Sequence, residues 1–198
     1  MPRRKNERRR LFQELAELYQ AMQTSYDEVA SKIGLSCTQC TDNCCVSYFQ
    51  HHTYIEWAYS WEGLKACGAE KKDAILTRAQ DYMEQARESL RQNRKPKLMC
   101  PVNEYGWCLL YDFRLMICRL HGVPNVVRMP DASVRFFPGC EPCQELTRGM
   151  AEVARMDRTL FYHRLAELEK SFLGPKYGQL PKVNLTLADM IVQGPPRI

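Results

Sequence analysis

Hydrophobic residues in the first part of the chain recur at alternating steps of three and four, which is the spacing of one face of an α-helix. Gly34 follows this pattern directly, and glycine commonly stands where a helix ends. The pattern therefore predicts a helix over residues 6–33 with one buried apolar face. The residues of that face are Leu11, Leu15, Leu18, Met22, Val29 and Ile33.

The next helical region is predicted over residues 54–94, as two helices. Trp57 and Trp61 lie one turn apart in the first of them. The second is expected to end at Lys95 and Pro96, because proline disfavours helical geometry in the residue before it. Its predicted buried stripe consists of Ile75, Ala79, Tyr82, Met83, Ala86 and Leu90.

A further long helix is predicted over residues 144–173, where Gly174 and Pro175 close it. A short helix is expected at residues 187–192. We interpret these apolar faces as the core surfaces of packed helices. The face predicted for the long helix consists of Leu146, Met150, Val153, Leu160, Leu165, Leu168 and Phe172.

Residues 100–143 have a different character, because five prolines and three glycines interrupt any long period. Such a composition predicts loops with short extended pieces. The predicted fold class is therefore mainly α, with a helical body of about four long helices and a loop-rich, cysteine-bearing lobe. We expect one domain over residues 1–198, with the lobe formed by residues 37–45 and 100–143.

The formal net charge of +5 is concentrated at the start of the chain. Residues 1–10 carry six basic side chains and one acidic one, a net charge of +5, and the remaining basic and acidic residues balance at 22 each. A frayed, solvated helix start explains such a segment better than a nucleic-acid surface does. We therefore expect no nucleic-acid partner.

No long apolar run follows the basic start, and none elsewhere approaches the length of a membrane span. We therefore expect neither a signal peptide nor a membrane span, and a cytoplasmic location. Cysteines in that compartment are explained by metal or redox chemistry more readily than by disulfides.

Nine of the ten cysteines fall into three groups. In a C-x-x-C turn both thiolates can point at one ion, whereas adjacent cysteines such as Cys44 and Cys45 diverge and suit two metals or a cluster. Zinc sites and four-iron clusters each take four thiolates, so nine would fill two sites with one left over. The groups are Cys37, Cys40, Cys44 and Cys45; Cys100, Cys108 and Cys118; and Cys140 and Cys143.

The histidines and the tenth cysteine add little to this count. His121 stands at the ligand-like C-x-x-H spacing from Cys118, and we place it among the residues around the metal. His51 and His52 follow the first cysteine group without a defining spacing, and a surface or hydrogen-bonded role suits them better. Cys67 lies inside a helical pattern and is interpreted as a small hydrophobic residue.

In these residues the chain resembles the YkgJ-like cysteine-cluster family, whose CxxCxxCC domain is described as chelating zinc or iron. The resemblance lies in CTQCTDNCC, which ends at Cys45, and in CPVNEYGWCLLYDFRLMICR, which begins at Cys100. Two features depart from the family: three residues rather than two precede the paired cysteines, and Leu115 stands where proline is common.

The resemblance implies a metal-binding set, with Cys143 as an additional candidate. It also places Tyr111, Arg114 and Arg119 at the family's aromatic and arginine positions, where they would donate hydrogen bonds around the sulfurs. The set consists of Cys37, Cys40, Cys44, Cys45, Cys100, Cys108, Cys118 and Cys140.

The leading hypothesis is a metal-binding protein that holds a 4Fe–4S cluster or Zn²⁺ in a redox, sensing or maturation role. A metal-dependent enzyme is an alternative, because larger relatives of the resembled family include flagellin lysine N-methylases. No glycine-rich nucleotide loop supports methyl transfer, however. A zinc-stabilised module that presents its helices to a protein partner is a third possibility. The choice between zinc and iron–sulfur stays open.

Overall fold

The computed structural model describes residues 2–37 and 44–198, with side chains from 5–37 and 45–198. Helix accounts for 57% of the structure and strand for 9%, which confirms the mainly α fold class. By its contacts the chain divides into two compact units, each built from two stretches. Unit 1 comprises the described parts of residues 1–44 and 119–172, and unit 2 comprises residues 45–118 and 173–198.

Helix α1 (Pro2–Ile33) is the long element of unit 1. All six residues of the predicted apolar face are buried. Gly34 adopts a left-handed conformation at φ +70°, and the Leu35 N–H donates to the carbonyl of Ala30 at 2.8 Å, so the helix ends where the sequence predicts.

The rest of unit 1 consists of short helices and a small sheet. The helices are α5 (Glu141–Leu146) and α6 (Thr159–Leu173), the latter continuing one residue into unit 2. Strand β3 (Asn125–Arg128) pairs antiparallel with β4 (Val134–Phe137) and parallel with β5 (Met156–Asp157). Helix α6 is joined to α1 by an ion pair between Arg164 and Glu14 at 2.9 Å.

The prediction of one continuous helix over residues 144–173 is wrong. Gly149 adopts φ +84° after α5, and the chain returns to the sheet as β5, where the Met156 N–H donates to Pro124 at 2.9 Å. Asp157 then accepts from the N–H of Thr159 at 3.0 Å and so starts α6. Leu146, Met150 and Leu160, which had been assigned to the buried face, are exposed.

Unit 2 is built on α2 (Tyr54–Ala66), α3 (Ala69–Arg91) and α7 (Leu187–Gln193). Its core contains the buried residues of these helices together with Val102, Leu110 and Leu115. The stripe predicted on α3 is confirmed at Ile75, Ala79, Tyr82 and Ala86, whereas Met83 is half-buried and Leu90 is exposed. The helix ends before Lys95-Pro96 because Asn93 takes a left-handed conformation and the Arg94 N–H donates to Ser89.

Short elements complete unit 2. Strands β1 (Asn103–Glu104) and β2 (Trp107–Cys108) form an antiparallel hairpin. One-turn 3₁₀ segments lie at Cys44–Val46, Tyr111–Phe113 and Gly174–Lys176, and α4 (Met116–Leu120) follows the second. Cys44 and the last two residues of α4 belong to unit 1. Within the described residues, no helix is both long and apolar enough to cross a membrane.

Candidate metal centre

Four of the predicted ligands, Cys45, Cys100, Cys108 and Cys118, belong to unit 2 and are here called the four-thiol cluster. Cys45 lies in the first 3₁₀ turn, Cys108 ends β2, and Cys118 lies in α4. The Cys100 N–H donates to the Cys45 carbonyl at 2.9 Å, which fixes two of these backbones side by side. Among the described residues, none of the four sulfurs forms a disulfide.

The hairpin positions Cys108 against the loop that carries Cys100. Cys108 is opposite Asn103 in the ladder, and the Leu109 N–H donates to Val102 at 2.9 Å. Arg78 on α3 donates to the carbonyl of Pro101 at 2.8 Å and so holds the same loop on the helix. Three of the four cysteines are therefore placed by backbone contacts within one unit.

Burial and the charges of other cysteines in the four-thiol cluster raise the pKa values of Cys100 and Cys118. Burial, followed by the negative charges of ionised Cys108 and Cys45, raises the pKa of Cys118 to about 12. Burial also raises the pKa of Cys100 well above its ordinary value, as do the charges of Cys118, Cys45 and Cys108, against a lowering by the Val102 N–H. Without a cation, Cys100 and Cys118 are protonated at neutral pH.

As placed in the structure, the side chains of the four-thiol cluster do not form a metal-binding geometry. Across the described residues, no group of three or more Cys, His, Asp or Glu side chains is placed so that it could hold a metal ion. Cys100 and Cys118 keep some accessible surface, although protein atoms surround both sulfurs closely. Cys100 and Cys108 also pack against the hydrophobic core of unit 2.

Glu56 is a buried carboxylate that positions the helix of Cys118. It is 3% exposed, and it accepts the Met116 N–H at 2.6 Å and the Thr53 hydroxyl at 2.8 Å. Met116 is the first residue of α4, so this contact satisfies a helix N-terminal donor. The charge of Glu56 also contributes to the raised pKa of Cys118.

Tyr82, predicted only as a core residue of α3, lies beside the cluster. Burial raises its pKa to about 12, followed by the charges of Cys100, Tyr48 and Asp189. Its hydroxyl is therefore protonated at neutral pH, and an ionised Cys100 would oppose its loss of a proton. The spacing of residues along α3 did not predict an interaction between Tyr82 and Cys100, since Tyr82 falls on the apolar stripe.

Two of the residues that the family resemblance places around the sulfurs belong to unit 2. The Arg114 guanidinium lies 3.8 Å from the centroid of the Tyr111 ring. Its positive charge opposes the raised pKa of Cys118, which places Arg114 near that thiol. A hydrogen bond from either side chain to a sulfur stays a prediction.

The other predicted ligands that the structure describes, Cys37, Cys140 and Cys143, belong to unit 1. Cys143 is fully buried in α5, and burial followed by the charge of Cys140 raises its pKa to about 11. The Cys37 sulfur lies 3.5 Å from the Tyr26 hydroxyl. Of the remaining predicted ligands, Cys40 lies outside the described residues, and so does the side chain of Cys44.

Arg119 and His121 also belong to unit 1, whereas Cys118 belongs to unit 2. Arg119 is buried, with its guanidinium 4.3 Å from the centroid of the Tyr19 ring. His121 is half-buried. The C-x-x-H spacing of Cys118 and His121 thus runs across the boundary between the units.

His51 is a buried histidine of unit 2 whose two backbone groups pair with Leu185. It is 2% exposed, and its Nδ1 has no hydrogen-bond partner among the described residues. Burial, followed by the charge of His52, lowers the pKa of His51 to about 3. The imidazole is therefore neutral in the folded protein well below the pH at which an exposed histidine is protonated.

We expect acid to weaken the fold through His51. Below pH 6.5 the unfolded chain takes up a proton at this residue and the folded chain does not, so its contribution to stability is present above 6.5 and is lost toward pH 3. The loss amounts to about 1.4 kcal/mol per pH unit. Urea unfolding from pH 7 to 4 should show a shallower loss for His51→Leu than for the wild type. His163→Gln, at an exposed position, is the control, and equal slopes for all three proteins would contradict the prediction.

Comparison with known proteins does not extend this description. No protein-family model matches the chain, and no curated protein or solved structure is significantly similar to it.

Proposed function

We propose that the chain is a thiolate metal-binding protein whose four-thiol cluster holds a zinc ion or a four-iron, four-sulfide cluster. The observation that carries the proposal is the hydrogen bond from the Cys100 N–H to the Cys45 carbonyl, which joins two distant parts of the sequence. The charges of Cys45 and Cys108, which raise the pKa values of both Cys100 and Cys118, support it. Four thiolates are the complete ligand set of a structural zinc site and of a four-iron cluster.

The high pKa values support this proposal through the chemistry of the cation. Ionising several adjacent, buried thiols is unfavourable because desolvation and like charge both oppose it. A metal ion supplies positive charge at that place, displaces the thiol protons and reverses the local preference. The surrounding core would hold the sulfurs in low dielectric, where their attraction for the ion is stronger than in water.

The competing explanation of these four cysteines is that they are small apolar residues of the core. They require neither the backbone hydrogen bond that joins Cys100 to Cys45 nor the buried carboxylate of Glu56, which fixes the helix of Cys118. The resemblance to the YkgJ-like cysteine-cluster family also favours metal binding. We propose a sensing, electron-transfer or maturation role for such a centre.

Metal analysis of the full chain tests the proposal. The protein is purified without air, and zinc, iron and acid-labile sulfide per chain are measured with the visible spectrum. A colourless protein with zinc, or a brown one with about four iron and four sulfide per cluster, is the expected result. A chain with neither metal would remove the proposal.

A matched pair of variants assigns the metal to the four-thiol cluster. Cys118→Ser should lose the metal of this centre. Cys67→Ser should retain it, because the Cys67 thiol donates to the Gly63 carbonyl at 3.4 Å within α2 and is not among the charges that act on Cys118. Equal metal content in the two variants would show that the cluster is not the site.

A further inference from the structure

Arg158 of unit 1 is a buried cation that has no ion-pair partner in the part of the chain that the structure describes. Its side chain is 7% exposed, and among the described residues its guanidinium makes no ion pair and its Nε no hydrogen bond. It lies 3.6 Å from the centroid of the Phe137 ring and 5.3 Å from that of Tyr162. Buried charges are ordinarily paired, so this residue is an exception that needs a reason.

Burial also lowers the pKa of Arg158, against an opposing effect of Tyr162. The aromatic faces offset part of the desolvation cost through cation–π attraction. They carry no net charge, however, so an anion nearby would gain from the uncompensated guanidinium.

A groove in the same unit shares an aromatic wall with this residue. Phe136, Phe137, Pro124 and Val153 provide apolar lining, and Arg155 stands at its edge with its guanidinium 5.7 Å from the centroid of the Phe136 ring. The volume is about 330 Å³, within the range of small-molecule sites. The Phe137 ring both lines the groove and contacts Arg158, and no Asp or Glu lines the groove among the described residues.

We propose that this groove binds a small organic anion. Its flat apolar body would pack on Phe136 and Phe137, and its acidic head group, a carboxylate or a phosphate, would pair with Arg155. Arg158 would add attraction through the apolar wall, where low dielectric strengthens a charge that makes no ion pair among the described residues. This site involves no cysteine and is independent of the proposed metal centre.

Fluorescence titration of the full chain with 8-anilinonaphthalene-1-sulfonate tests the proposal, since this probe joins an anion to an aromatic body. We expect it to saturate a site at which the uncharged analogue N-phenyl-1-naphthylamine binds more weakly. Arg155→Gln should weaken binding of the sulfonate by roughly tenfold, the usual scale of a lost charge-assisted contact. Arg158→Met should weaken it by a smaller factor, because Arg158 does not line the groove and acts through the Phe137 wall.

The same titration includes a control variant and tests for the chemistry of the head group. Arg128→Gln removes an exposed arginine of the same sheet that is paired with Asp157, and it should leave binding unchanged. If Arg158→Met fails to fold by circular dichroism, the exposed Arg155 still decides the outcome. Displacement of the probe by benzoate or by phenyl phosphate identifies the head group. Equal binding of the charged and uncharged probes, or equal binding by wild type and Arg155→Gln, would overturn the proposal.

Discussion

Gly139→Ala should destabilise the folded protein by about 3 kcal/mol or more, through unit 1. Gly139 adopts φ +89°, which side chains other than glycine rarely tolerate. A Cβ at this position would also lie 2.4 Å from the carbonyl oxygen of Gly122 and 2.8 Å from the sulfur of Cys143. The backbone cannot yield at the first of these contacts without moving the chain that leads into α5.

Gly149 serves as a control that separates the conformational cost of the substitution from the steric cost. Gly149 has almost the same conformation, φ +84°, but a Cβ there meets nothing within 4 Å. Gly149→Ala should therefore show only the conformational cost, about 1–2 kcal/mol. Urea unfolding of both variants gives the comparison. In the native proteins, a thiol reagent should react with Cys143 in Gly139→Ala but not in Gly149→Ala. Equal stability of the two variants would contradict the close approach of Gly139 to the Gly122 carbonyl.

Glu56→Ala should have the second large effect, a loss of about 3 kcal/mol, because it leaves buried donors without an acceptor. The Met116 N–H and the Thr53 hydroxyl both donate to this carboxylate. Freeing the start of α4 should also loosen Cys118, so the variant should bind less metal than the wild type in the analysis described above. Glu56→Gln keeps an acceptor oxygen and should lie between the two.

Glu62→Ala in the same helix is the control for Glu56. Glu62 forms an exposed ion pair with Lys65 at 3.1 Å, and such pairs contribute less than about 1 kcal/mol. Urea unfolding should therefore separate the two alanine variants clearly. Similar losses would mean that the Met116 contact does not hold α4.

The helices that the sequence predicted correctly are those whose signals are local. The apolar face of α1 and its stop at Gly34 follow from side-chain spacing and from the one residue type that readily adopts φ +70°. Helix α3 ends before Pro96 because Asn93 adopts the left-handed conformation. Asparagine adopts it less readily than glycine does, so its position in the sequence is a weaker indication of a helix end.

The helix predicted over residues 144–173 failed because a distant pairing overrode the local pattern. Met156 belongs to a strand beside Asn125, and the apolar spacing across this region does not reveal a partner so far along the chain. Tertiary contacts of this kind are what periodicity cannot report.

Cysteine spacing predicted which residues group along the sequence but not how they divide in space. The structure places Cys45 with Cys100, Cys108 and Cys118 in one unit, and Cys37, Cys140 and Cys143 in the other. The sequence did not predict that Glu56 is buried, because an acidic residue in a helix is ordinarily exposed. Its partner, the Met116 N–H, lies sixty residues along the chain.

The interleaving of the two units has a consequence for biosynthesis. Unit 1 needs residues up to 172 and unit 2 needs residues up to 198, so neither can be completed while the earlier part of the chain emerges from the ribosome. All four thiols of the four-thiol cluster are translated before α7, which supplies Leu187, Met190 and Ile191 to the core against which Cys100 and Cys108 pack. Until α7 has been made, these sulfurs therefore lack part of the core against which they pack, and the core of unit 2 can close only after the end of α7 has left the ribosome.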